Sequence, residues 1–288
     1  MSARWRRYRR AGGGDDSGFR GVIERTAANP TLPSDLTKIG SYAFYQYTNL
    51  VLPSFPEGLT SIGEYAFYAC TSLTSISLSA GLTSIGDSAF RNCTKLALTS
   101  LPAGLTTIQP NAFNGCTNLA LTSLPEGITS IETAVFHRCT SLALTSLPAG
   151  LTLIKNDAFR SCTKLALTSL PAGLTSIGNY AFSDCTSLAL ASLPAGLTSI
   201  ATSVFYNCTK LALTSIPAGI TSIGNAAFYN CKALTSITFE GTPSSISSSS
   251  FAGCTNLTTI NVPWAEGAVS GAPWGATNAT INYNYTGE

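Results

Sequence analysis

The chain's nine cysteines are its most obvious reactive groups, and they fall 23 residues apart without exception: Cys70, Cys93, Cys116, Cys139, Cys162, Cys185, Cys208, Cys231 and Cys254. A metal centre draws ligands from short spacings such as Cys-x-x-Cys, and the chain contains no such pair. A disulfide framework uses an even number of cysteines, whereas nine is odd and each thiol in a regular row has equivalent neighbours on both sides. The spacing therefore predicts buried free thiols that pack as small hydrophobes and donate weakly to backbone, which fits a reducing folding environment better than an oxidising one.

His137 is the only histidine. Ser-His-Asp chemistry needs an aspartate at Nδ1 and one activated serine, and nothing separates one serine here from dozens of others. Gly12-Gly13-Gly14 follows no strand and lacks the Lys-Ser/Thr of a phosphate loop. The expectation is a protein that is not an enzyme and has no catalytic, cofactor-binding or metal-binding residues. Of the Asn-x-Ser/Thr sequons, those at Asn92 and Asn207 are by-products of the repeat.

The elements that carry these residues repeat with the same period. Phenylalanine stands three residues before each cysteine, and the series starts one unit earlier at Phe44, where Tyr47 takes the cysteine position. Ten repeats run from Phe44 to Phe251, each with Ile five before the Phe (Ile39 to Ile246) and Leu six after it (Leu50 to Leu257). No insertion interrupts them, as a solenoid requires, because each coil must place the same side chains in the same stack. One coil cannot fold alone. Its four large apolar side chains gain about 6–12 kcal/mol on burial, while ordering its backbone costs roughly 23–46 kcal/mol.

The unit, Leu-Thr-Ser-Ile-Gly-x-x-Ala-Phe-x-x-Cys-Thr-x-Leu-x-x-x-x-Leu-Pro-Ala-Gly, resembles the BspA-type (Treponema-type) leucine-rich repeat over residues 34–263. The resemblance implies a leucine-rich horseshoe or flattened solenoid of ten 23-residue coils, α/β or mainly β, with a parallel β-sheet on one face and short helical or irregular turns on the other. It implies binding or display without catalysis in the repeat: a surface adhesin or interaction scaffold meeting a protein or glycan, or a phage structural component.

Segments such as Leu73-Thr74-Ser75-Ile76-Ser77-Leu78 read as half-buried strands, and Pro148-Ala149-Gly150 as the turn that follows. The spacing Ile177, Ala181, Phe182, Cys185 is one that a face of a short helix can satisfy. Six central repeats depart from the pattern, placing Leu98, Leu121, Leu144, Leu167, Leu190 and Leu213 where terminal repeats have Ser or Thr. With a shared register these leucines point outward; a local bulge turns them inward and the following Thr outward, which the gain from burial favours.

Whereas the strand residues hardly change, the two positions after each Phe vary. They make a candidate interaction edge of Tyr45, Tyr68, Arg91, His137, Arg138, Arg160, Tyr206 and Tyr229, Tyr and Arg being frequent binding anchors. The competing reading is solvated positions free to drift. Rows such as Thr60-Ser61, Thr83-Ser84 and Thr106-Thr107 add ice binding as a minor alternative.

Of the 288 residues, 44% are hydrophobic and only 10% charged, which excludes intrinsic disorder. No 18-residue apolar run exists, so no transmembrane segment is expected. Seven arginines against three acids in the first 25 residues leave the rest of the chain at −2, too little positive charge for specific nucleic-acid binding by the array. Arg4, Arg6, Arg7, Arg9 and Arg10 form a basic arm, a candidate docking arm for an assembly partner. The expected organisation is arm and Gly-rich linker 1–18, N-terminal cap 19–33, solenoid 34–262 and C-terminal cap 263–288. No apolar stretch follows the arginines, so no signal peptide is recognised. Localisation stays open among cell surface and virion, by resemblance, and cytoplasm.

Overall fold

The computed structural model describes residues 32–287, and the arginine arm, its linker and the cap residues Phe19, Val22 and Ile23 lie outside the described residues. From Leu32 onward the chain winds into stacked coils with parallel strands. One strand per coil is the Ser-Ile pair before the phenylalanine: β1 (Lys38–Ile39), β2 (Ser61–Ile62), β3 (Ser84–Ile85), β4 (Thr107–Ile108), β5 (Ser130–Ile131), β6 (Leu153–Ile154), β7 (Ser176–Ile177), β8 (Ser199–Ile200), β10 (Ser222–Ile223) and β12 (Ser245–Ile246). They pair in parallel with a 23-residue offset in the groups β1 to β4, β5 to β7, and β8, β10, β12. Because side chains alternate along a strand, every Ile enters the core while the preceding residue faces outward.

A second parallel sheet belongs to the C-terminal coils: β9 (Ser215–Ile216), β11 (Ser236–Phe239), β13 (Thr259–Asn261) and β14 (Thr280–Asn282). At the opposite end the strand expected over residues 73–78 is reduced to an isolated bridge, Ser54 to Ser77, that continues this ladder, so the strand shared by the ten coils is the pair before the phenylalanine and not the segment after the cysteine. In the central coils between them Leu98, Leu121, Leu144, Leu167, Leu190 and Leu213 are all buried, and the threonines or alanine after them are exposed. The inward arrangement is therefore the one adopted. Its backbone consequence is a changed pairing: Ala120 donates to Leu98 O and Ala143 to Leu121 O, 22 residues back, whereas Ser77 and Thr238 donate 24 back, to Pro53 O and Thr214 O.

The segment around each phenylalanine takes the second of the two expected forms: it is a run of overlapping turns and not a short helix. In the first coil Ala43, Tyr45 and Tyr47 donate three residues back, to Gly40, Tyr42 and Phe44. Tyr42, Phe44 and Gln46, alternating with them, donate across to Glu64, Ala66 and Tyr68 of the next coil at 2.7–2.8 Å. A helix would satisfy all these N–H groups internally; here half of them bind the coils together. The geometry places left-handed residues two after every Phe and two before all of them but Phe251, such as Tyr65 (φ 51), Ala69 (φ 55), Ser88 (φ 52) and Asn92 (φ 61).

The core is a set of columns running through the stack. All ten phenylalanines are buried, consecutive rings lying 5.0–5.9 Å apart and within 16° of parallel. Residues 263–287 add an eleventh turn. Trp274 stands 23 residues after Phe251, accepts its N–H at 3.0 Å and is fully buried, and β14 pairs with β13. Trp264 packs edge-on against Phe239 at 5.2 Å. At the other end Leu32 and Leu36 are half-buried against the core.

Candidate functional site

The turn geometry sets the phenylalanine one way and its successor the other. The row immediately after the Phe column reads Tyr45, Tyr68, Arg91, Asn114, His137, Arg160, Ser183, Tyr206, Tyr229 and Ala252, with no acidic residue in any coil. Tyr45 stacks on Tyr68 at 5.0 Å and Tyr206 on Tyr229 at 4.7 Å, so the residues of successive coils stand directly over one another. Most of the row is half-buried, with Tyr229 reaching 37% exposure.

Arg138 belongs to a different row. It is the residue two after Phe136, is exposed and left-handed at φ 62, and that position holds Asn, Asp, Gly, Ser, Gln or Ala in other coils. Variation there has a backbone cause, since Gly, Asn and Asp enter the left-handed region most readily. Asp184, Asn207 and Asn230 form a ladder in this row, Asn207 Nδ2 donating to Asp184 Oδ1 and Asn230 Nδ2 to Asn207 Oδ1, both at 2.8 Å.

Three arginines surround the single histidine. Partial burial lowers the pKa of His137, and the positive charges of Arg138, Arg160 and Arg91 lower it further, against an opposing effect of Asp157. Arg160 donates to Asp157 at 3.1 Å and lies over the Tyr180 ring at 5.1 Å. Arg91 is half-buried with its Nε enclosed and unpartnered.

Sequence reasoning missed the residue two before each Phe. Tyr42 and Tyr65 stack there at 5.1 Å, and with Tyr45 and Tyr68 they form a four-ring cluster at the N-terminal end, Tyr42 being 52% exposed. The pKa of Tyr42 is raised by desolvation and by Glu64. The available clue was a constant three-residue separation, Tyr42 to Tyr45 and Tyr65 to Tyr68, but a helical reading of the segment hid its meaning.

The thiols form an interior column. Each cysteine is buried, and Sγ donates to the carbonyl of the phenylalanine one coil back, as Cys116 does to Phe90 and Cys139 to Phe113, at 3.0–3.1 Å. Burial pushes the thiols of Cys93, Cys139, Cys162, Cys208 and Cys231 well up, and that of Cys254 up to about 11. Such groups are poor nucleophiles at neutral pH. Among the described residues no cluster of three His, Cys, Asp or Glu could hold a metal ion, and no helix is long and apolar enough to cross a membrane.

Two other surfaces complete the exterior. The outer threonines donate Oγ1 to the previous coil's threonine carbonyl, as Thr83 does to Thr60 at 3.2 Å. A groove of about 580 Å³, lined among others by Ser75, Ser77, Leu98, Ser100 and Leu101, marks the change from the terminal to the central strand pattern.

A family model described as the BspA type leucine rich repeat region matches residues 26–145 and 152–266 in six copies. The fold is similar to that of a leucine-rich cell surface protein from Faecalibacterium prausnitzii, at 27% identity over 90% of this chain and 88% of that one, with a TM-score of 0.60. It is also similar to a leucine-rich repeat protein from Bacteroides ovatus, at 22% identity over 92% and 85% of the two chains, with a TM-score of 0.52. No curated protein sequence matches.

Proposed function

The chain belongs to the BspA-type leucine-rich repeat family, and on that premise we propose that it is a non-enzymatic recognition scaffold that meets a protein or glycan at a cell surface through the row beside the phenylalanine column. The cell-surface description of the Faecalibacterium prausnitzii protein supports the setting. One observation carries the choice of site: the core columns hold the same residue in coil after coil, while the row one residue from them changes between aromatic, cationic and small side chains. A solenoid of this kind presents a rigid face on which residues differ coil by coil without disturbing the stack.

The test is binding to arrayed glycans and surface proteins by the full chain and by a variant with Tyr45, Tyr68, Tyr206 and Tyr229 changed to Ser, the residue Ser183 already supplies in one coil. The expected result is a ligand whose binding the variant loses while it keeps a cooperative unfolding transition. Retention of every ligand by that variant would place recognition elsewhere on the molecule.

A further inference from the structure

The middle of the row differs chemically from its ends. Stacked tyrosine pairs stand toward both ends, and between them Arg91, His137 and Arg160, with Arg138 alongside, bring three permanent positive charges and a histidine to three of four successive coils, Asn114 standing in the other. Among the groups that act on His137 the carboxylate is Asp157, and it is engaged by Arg160. The rest of the chain outside its first 25 residues carries −2, so this concentration runs against the charge of the solenoid as a whole. Like charges held together on one edge repel, a cost that an anionic partner reverses. Arg91 contributes a second observation: it is half-buried with its Nε enclosed, so its guanidinium is held in place and partly desolvated, leaving its terminal N–H groups to meet an anion.

We infer that Arg91, Arg138 and Arg160 bind a linear acidic polysaccharide that lies along the solenoid axis, one sugar to a coil, with its carboxylates or sulfates against the guanidinium groups. This rests on the reading of the row as the recognition surface. Spacing favours a polysaccharide over an acidic peptide. Stacked coils repeat about every 4.8 Å, whereas an extended peptide presents side chains on one face roughly every 6.6–6.8 Å. On one face its carboxylates fall at about 6.7 and 13.4 Å, so they meet Arg160 three coils from Arg91 but miss Arg138, two coils away at about 9.6 Å, by about 3 Å, while an extended pyranose chain that places one sugar against each coil meets all three. Paired guanidinium–carboxylate and guanidinium–sulfate contacts supply directional strength, and the surrounding hydroxyl and amide groups match the sugar hydroxyls.

Titration calorimetry of the full chain with heparin, polygalacturonate, neutral dextran and polyglutamate tests the assignment, heparin and polygalacturonate separating sulfate from carboxylate. Heparin or polygalacturonate should bind with an affinity that falls as salt rises, and dextran should not bind. In the triple variant Arg91→Gln, Arg138→Asn, Arg160→Gln that affinity should drop at least about tenfold. Asp157→Asn, which frees Arg160 without removing a positive charge, should raise it and guards against misreading a folding defect. Equal or tighter binding of polyglutamate would overturn the polysaccharide assignment, as would salt-insensitive binding or an unaffected triple variant. Silence toward every polyanion, alongside a tyrosine-dependent ligand from the array, would overturn this inference and leave the recognition reading standing.

Discussion

Phe136 and His137 are neighbours in the chain and belong to different worlds. The phenylalanine is buried between Phe113 and Phe159, at ring distances of 5.9 and 5.6 Å, while the histidine is half-buried among arginines. In a helix, consecutive residues point about 100° apart and share part of a face; in the overlapping turns seen here, alternate N–H groups bind the next coil, and the chain passes from the buried Phe to the outer row in a single residue. The turn run thus lets an invariant column and a variable row coexist one residue apart. The central and C-terminal coils make the same point. Leu144 and Ile237 both fill the core, yet they stand two and three residues after the repeat leucines Leu142 and Leu234, and the backbone pairing shifts to accommodate the difference.

The sharpest way to break this comparison is to remove an inward side chain from the central pattern. Leu144→Ser takes away a fully buried leucine and buries a hydroxyl, so it should cost about 3–5 kcal/mol in chemical denaturation. Thr145→Ser, on the exposed neighbour, should change the midpoint by less than about 0.5 kcal/mol. Equal effects would mean that the central strands do not alternate as described.

A smaller effect of opposite sign is expected at Arg138. Its left-handed backbone is strained for a residue with a Cβ, so Arg138→Gly should stabilise by about 0.5–1 kcal/mol, whereas Arg138→Ala keeps the strain and should leave stability nearly unchanged. A destabilised glycine variant would remove the backbone explanation for variation in that row.

Thiol chemistry distinguishes the end of the column from its middle. Cys254, 4% exposed and with the smaller upward shift, should react with a polar thiol reagent before the fully buried Cys139 and Cys162, and all nine should react once the chain is unfolded. Mass mapping of partially labelled protein checks the order, and early labelling of Cys139 would contradict the burial.

The smallest expected effect is on pH dependence. His137 titrates below its unfolded value near 6.5, so between that value and the lowered folded one the unfolded chain binds more protons. Stability should therefore decrease as the pH falls through this window and level off below it. His137→Asn should remove that contribution, which shows as a flatter difference curve of denaturation midpoint against pH.

The sequence already contained most of the fold, because a 23-residue period of Ile, Phe, Cys and Leu admits one stacking solution. The thiol column followed from the same period, and the direction of Leu98 to Leu213 from the energy of burial. Two features escaped. The spacing of Ile177, Ala181, Phe182 and Cys185 satisfies a helical face as well as a run of turns, and only the hydrogen bonds to the next coil separate the two. The eleventh turn was hidden by Trp274, which keeps the period but changes the residue. At the candidate site the row Tyr45 to Tyr229 was visible as variation, but its two positions after each Phe looked equivalent. The left-handed backbone at Arg138 and the tyrosine pair Tyr42 and Tyr65 emerge only when the turn geometry is known.

An invariant column holds the coils together, and the row beside it is free to vary. Urea denaturation midpoints of Phe136→Ala and His137→Ser, measured side by side, test that division at a single peptide bond. The expected result is a loss of about 3–5 kcal/mol for Phe136→Ala and a change below about 0.5 kcal/mol for His137→Ser; losses of similar size in both variants would contradict it.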